Sequence, residues 1–230
     1  MAVAGWYNHY DDPDDEYWSE EPERDRVGPR TGAAVQQHFT PELSVIRFVL
    51  DDECFPQDVH AADDWTLRVT PSRYDGALMD AYNDALSALR TEDDRLIRLP
   101  TSASFREAAP VLLLARTAEE YRQTYLDLMG EIVHRAQGHI PAGDIEPTVR
   151  VEATRFQLTS IEVNARWARV AGGQALTAEL LECVAAIKAQ LPVLVTDPEL
   201  DAQPDGELFL RLARHAEYLA DLGAPDGYLR

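Results

Sequence analysis

Residues 65–89 read WTLRVTPSRYDGALMDAYNDALSAL, and residues 167–191 read WARVAGGQALTAELLECVAAIKAQL. Both stretches open on tryptophan, carry leucine at the fourteenth position and close on leucine after 25 residues. Trp65 therefore aligns with Trp167, Leu78 with Leu180 and Leu89 with Leu191. Upstream, Val59 and Ile161 each lie six residues before their tryptophan, and Phe55 meets Phe156 once one gap is allowed. Identities are few, but the order of strand, strand, tryptophan, polar turn and amphipathic helix occurs twice. Self-similarity of this kind is the mark of an internal duplication.

The residue patterns around the repeat supply its strands. Ile46, Phe48 and Leu50 alternate with Arg47 and Val49, the period of a half-buried strand. Asp51, Asp52 and Glu53 form a polar turn, a second extended run covers Phe55 to Val59, and Trp65, Leu67 and Val69 alternate again. Pro71 and Ser72 open a helix on which Leu78, Met79, Tyr82, Ala85, Leu86 and Leu89 share a face. In the second copy Val149, Val151 and Ala153 alternate, as do Ile161, Val163, Ala165 and Trp167. A helix over about 176–190 turns Leu180, Leu181, Val184 and Ile187 inward.

A single hairpin with one helix buries too little apolar surface to fold well. The expected fold is therefore α+β, with two tandem hairpin-plus-helix units completing one core as a pseudo-symmetric intrachain dimer. Trp65, Trp167, Leu78 and Leu180 are its predicted structural core, the tryptophans plugging the strand-to-helix corners.

Between the copies, residues 103–138 read as largely helical, restarting near Pro110. Thr117 and Glu120 have the spacing of a capping box, and Tyr121, Tyr125, Leu128, Ile132 and Val133 line one face up to a stop at Gly138. A last helix is expected over 207–222, with a stripe of Phe209, Leu210, Leu212, Ala213, Ala216 and Leu219 and a stop at Gly223. The division that follows is an acidic tail at 1–40, a first unit at 41–100, a helical arm with the second unit at 101–195, and a C-terminal loop and helix at 196–230.

The charge limits the partners. The chain carries 41 acids against 21 bases, a formal net charge of −20. That repels nucleic acid and anionic lipid at long range and suits cationic or neutral protein partners. The tail concentrates Asp11, Asp12, Asp14, Asp15 and Glu16 among Trp6, Tyr7, Tyr10, Tyr17 and Trp18. It reads either as a solubilising segment or as one that orders on a partner. Cys54 and Cys183 are too few and too far apart for a disulfide framework or a zinc site. No apolar run approaches the ~20 residues that cross a bilayer, and no signal peptide is legible, so the expected compartment is the cytoplasm.

No nucleotide-binding, metalloprotease or nucleophile-elbow motif occurs, and the six histidines do not cluster with cysteines or carboxylates at ligand spacing. No catalytic, cofactor-binding or metal-binding residue is assigned. One strip runs against the global charge: Arg150, Arg155, Arg166 and Arg169 lie on or beside the second hairpin. It reads as an anion-binding strip. With Glu152 and Glu162 interleaved, it also reads as cross-strand arginine–glutamate pairing.

The segment VRVEATRFQLTSIEVNARW at 149–167, followed by LTAELLECVAAI at 176–187, resembles the YbaB/EbfC family in its hairpin, its short tryptophan corner and its apolar final helix. VHAADDW at 59–65 and LMDAYNDAL at 78–86 look like a second, divergent copy. The resemblance implies a small α/β dimer with the helix at 111–137 as its arm. It also implies either nucleoid-associated DNA binding or, as in acidic relatives, an accessory role in type VII secretion. Here the hairpin turn lacks glycine and Lys188 is the only lysine. These departures favour a non-catalytic, protein-binding adaptor or chaperone, monomeric with an internal pseudo-dimer, over the DNA-binding alternative.

Overall fold

The computed structural model describes residues 45–91 and 101–222, all within the unit Pro41–Arg230. The fold is α+β. In chain order it runs β1 (Ile46–Leu50), β2 (Pro56–Ala61), α1 (Trp65–Arg68), α2 (Tyr74–Thr91), α3 (Phe105–Leu113), α4 (Ala118–Leu128), β3 (His134–Gln137), β4 (Val149–Ala153), β5 (Leu158–Val163), α5 (Ala165–Ala168), α6 (Gly173–Lys188), α7 (Pro198–Asp201) and α8 (Asp205–Leu222). The acidic stretch at 1–40, the connection at 92–100 and Gly223 lie outside the described residues.

The two hairpins are built alike. Both are antiparallel, Phe48 standing opposite Val59 and Val151 opposite Ile161. Ile46, Phe48 and Leu50 face inward on β1, as Val149, Val151 and Ala153 do on β4. Both registers slip at the turn, between Val49 and Leu50 and between Glu152 and Ala153. The first turn, residues 51–55, is one residue longer than the second, residues 154–157, so Phe55 and Phe156 do not occupy equivalent positions. Cys54 takes a left-handed conformation there, φ 66. Such a conformation is disfavoured outside glycine, and it is held by the Tyr82 hydroxyl, which donates to the Cys54 carbonyl at 3.0 Å.

The helices join the two hairpins. α2 packs on β1 of its own hairpin and on β5 of the other, whereas α6 packs on β4, on β3 and on β2 of the first hairpin. The crossed contacts are reciprocal. Asp75, next after Tyr74, accepts from the Val163 N–H at 2.8 Å. Thr177, next after Leu176, donates to the Val59 carbonyl at 2.8 Å. Each helix thus covers the edge of the other unit's second strand, which suppresses stray strand pairing. Tyr82 also accepts from the Leu158 N–H at 3.0 Å, so one phenol joins both hairpins. Tyr74, Leu78, Tyr82 and Ala85 from α2 share one core with Leu176, Leu180, Val184 and Ile187 from α6.

Gly173 marks the closest of these crossings. A Cβ there would lie 2.1 Å from the Ala61 carbonyl oxygen, a backbone atom that cannot swing aside. Gly173→Ala is expected to lower stability by about 2 kcal/mol by forcing α6 off β2, read as a reduced urea midpoint at unchanged slope.

The tryptophans are not equivalent in packing. Trp65 is fully buried against the Tyr74 ring, centroids 4.6 Å apart. Trp167 lies at the edge of the same core, half-buried. Phe55 enters this core, but Phe156 turns to a second one. The alternation read at Trp65, Leu67 and Val69 is not a strand. α1 is a helical turn with an Asp64–Arg68 ion pair across it at 2.7 Å, and Leu67 is 87% exposed. In the second copy Asn164 stops β5 by accepting from the Arg166 and Trp167 N–H groups, which leaves Ala165 and Trp167 on α5.

The expected helical arm at 111–137 is corrected most. α3 runs through Pro110, whose burial among apolar neighbours offsets its missing hydrogen bond, and ends at Leu113. α4 begins at Thr117, which accepts from the Glu120 N–H, but Glu120 itself turns to the Arg116 N–H. The complete capping box is at Ser104 and Glu107. α4 ends at Gly130, φ 70, where Gly130 donates to Asp127 and Glu131 donates to Leu126. That Schellman stop releases Val133 and leaves His134–Gln137 free to become β3 on the edge of β4. α3 and α4 instead build the second core with α7 and α8, around Ala109, Leu112, Leu128, Leu200, Leu208 and Leu212. On α8 the buried positions are Leu208, Leu212 and Leu219, and Phe209 and Leu210 face outward.

Candidate functional site

The four arginines of the sequence strip do not converge. Arg150 crosses to Glu162 on the neighbouring strand at 3.4 Å. Arg166 is exposed, 4.0 Å from Asp144, and Arg169 is exposed on the cap of α5. Arg155 is buried. Its Nη1 pairs with Asp127 at 3.0 Å and its Nη2 donates to the Pro192 carbonyl at 2.6 Å. It leaves the strip because the turn after β4 points it toward the second core, where Asp127 from α4 is itself buried. His134 of β3 pairs with the other oxygen of Asp127. Asp127, Arg155 and His134 form a buried ionic knot between the sheet and the second core. Removing one member of such a group leaves an uncompensated charge.

A second polar group surrounds Glu179 of α6. Thr148 donates its hydroxyl to Glu179 at 2.6 Å, and the His139 backbone N–H donates at 3.2 Å. The His139 Nδ1 lies against the other carboxylate oxygen. Burial pushes this carboxyl's pKa up, but the hydrogen bonds from Thr148 and His139 together outweigh it and hold the group below the usual glutamate value. Gly138 is required beside it, because a Cβ would lie about 2 Å from both Glu179 Oε2 and Thr148 Oγ1. The Thr148 hydroxyl is engaged by Glu179 rather than by the imidazole, which is not the nucleophile–base arrangement of covalent catalysis. The group ties the β3–β4 connection to α6. Among the described residues no three His, Cys, Asp or Glu side chains are grouped to hold a metal ion.

Clefts open on the surface formed by the described residues. One, of about 510 Å³, runs between β2 and the start of α6, lined by Asp58, His60, Asp63, Gln174 and Thr177. His60 is paired with Asp58 at 3.1 Å. Another, of about 330 Å³, lies beside the second core between Arg106 and Glu107 of α3 and Leu194, Val195 and Thr196 of the connection to α7.

Exposed apolar side chains concentrate around this second core. Val193 is 78% exposed, and Leu194 and Val195 follow it on the surface. Phe209 rests on Phe105, centroids 6.3 Å apart, with half its surface still exposed. Leu210, Tyr218 and Leu222 are exposed at other positions around α8. The sequence stripe on α8 mixed its inner and outer faces, and residues 193–195 were not singled out. The overlooked signal was Val193-Leu194-Val195 between Pro192 and Pro198.

No helix among the described residues is long and apolar enough to cross a membrane. Comparison with known proteins found no matching family model, no similar curated protein and no similar solved structure.

Proposed function

We propose that the chain is a non-catalytic, cytoplasmic protein-binding adaptor or chaperone of YbaB-like architecture. Its two hairpin-plus-helix units form a pseudo-symmetric intrachain dimer, and its second core presents the binding surface. The supporting observation is the apolar exposure around that core, at Val193–Val195, Phe209, Leu210, Tyr218 and Leu222. The matched registers and the reciprocal Asp75 and Thr177 contacts support the pseudo-dimer. An accessory place in type VII secretion rests on the sequence resemblance alone.

The DNA-binding alternative loses its main support with the arginine strip. Arg155 points inward, and Arg150 and Arg166 stand beside acids. A charge of −20 adds long-range repulsion. Gel-shift titration of duplex DNA at low salt is expected to show no complex. Tight binding that weakens steeply with added salt reverses the assignment.

A further inference from the structure

The segment from Pro192 to Asp197 carries no helix, turn or bend. Both its ends are fixed. The Pro192 carbonyl is held by the buried Arg155. Asp197 is extended, φ −121 and ψ 106, and its side chain caps α7 by accepting from Glu199 and Leu200. Leu200 is anchored in the second core. Between these points the N–H and C=O groups of Val193, Leu194, Val195 and Thr196 make no hydrogen bond among the described residues. All four residues are exposed. Exposed backbone groups of this kind are hydrated, and stay open to pairing with another strand. A straight, pinned run with strand-prone side chains and no partner is a template for another strand.

We propose that Val193–Thr196 is a strand-docking site, taking an extended segment of a partner protein in which apolar and basic residues alternate. The proposal deepens the protein-binding reading and rests on it. Pairing places Val193 and Val195 on one face of the added strand and Leu194 and Thr196 on the other, in the manner of strand addition. The 330 Å³ cleft beside Leu194, Val195 and Thr196 receives a side chain of the incoming segment.

Charge selects the occupant. Glu107 and Asp201 line the cleft, and Asp197 and Glu199 follow the segment. Both adjoining bases are engaged: Arg155 by Asp127 and the Pro192 carbonyl, and Arg106 in the cleft by Asp205 at 2.6 Å and by the carbonyls of Asp201 and Gln203. A second copy of this chain brings another −20 to the same place, whereas a basic segment is drawn to it. Pro192 and Pro198 lack the N–H needed to extend a ladder, so they limit pairing to this short stretch.

The test uses the full chain and a fluorescein-labelled nonapeptide of alternating lysine and valine, followed by anisotropy at 150 mM salt. Saturable binding is expected. It should weaken at least tenfold when glutamate replaces lysine, and equally when four consecutive central amides are N-methylated, which blocks strand pairing without changing the charge. Val195→Pro is expected to weaken it at least tenfold. Val195→Lys, which keeps the backbone intact and adds like charge, should do the same; circular dichroism checks that both variants are folded. Absent binding, or equal binding of the N-methylated peptide, overturns the site. A concentration-dependent dimer lost in Val195→Pro overturns it in favour of a second copy as occupant. A crosslinked partner captured equally by wild type and Val195→Pro removes this site while the protein-binding reading stands. A wild-type chain that captures no partner removes both.

Discussion

Leu78→Ala and Leu180→Ala are each expected to lower the stability of the whole folded unit by about 3 kcal/mol. Both leucines are fully buried at matching positions of α2 and α6. Truncation removes the transfer free energy of three carbons and leaves a cavity that close-packed neighbours fill only in part. The informative reading is the shape of the transition. Leu78 belongs to the first repeat and Leu180 to the second, yet both lie in one core. Each substitution is therefore expected to shift the same urea transition, followed by tryptophan fluorescence and by far-ultraviolet circular dichroism. If Leu78→Ala split the curve and left the second repeat's transition in place, the units would be separate folding bodies, and the crossed packing of α2 on β5 and α6 on β2 would carry little energy.

Arg155→Met is expected to cost about 3 to 5 kcal/mol, although methionine fills much the same volume. The loss is electrostatic, because Asp127 keeps its buried charge with only His134 beside it. The Pro192 carbonyl loses its donor at the same time. Asp127→Asn combined with Arg155→Met should cost clearly less than the sum of the two single changes, because the second removes a charge that the first left stranded. Arg155→Lys should restore only part, since a single ammonium lacks the planar fork that reaches both Asp127 and Pro192. Chemical denaturation of the four proteins measures the coupling, and an additive cycle contradicts it. Arg155→Met also frees one end of Val193–Thr196, so it should weaken lysine–valine peptide binding in the variant that remains folded.

These substitutions connect the two layers of the molecule. The two hairpins, with α2 and α6, share one core, and a single hairpin with one helix has too little apolar surface alone. The second core, built from α3, α4, α7 and α8, is attached through the Asp127–Arg155–His134 knot and through Phe156. This second layer carries exposed apolar side chains on α8 and the segment strung after Pro192. The proposed binding surface thus sits outside the two hairpins and the helices packed on them.

Local pattern sufficed for whatever depends on neighbours in the chain. Alternation placed β1 and β4, and helical spacing placed α2, α6 and α8. Each of these signals reflects a side-chain period of about 2 or 3.6, which a residue imposes wherever its element lies. Contacts distant in sequence were decided only in three dimensions. Val133 and His134 continued a helical pattern, but Gly130 turned the chain and the edge of β4 offered hydrogen bonds, so β3 formed instead. Arg155 looked like one of four surface arginines until Asp127, far back on α4, drew it inward. The extended run at Val193–Thr196, without a hydrogen-bond partner among the described residues, follows from Arg155 and Leu200 holding its two ends. Burial and pairing energies depend on which surfaces meet, and a chain's own periodicity does not say what will stand opposite.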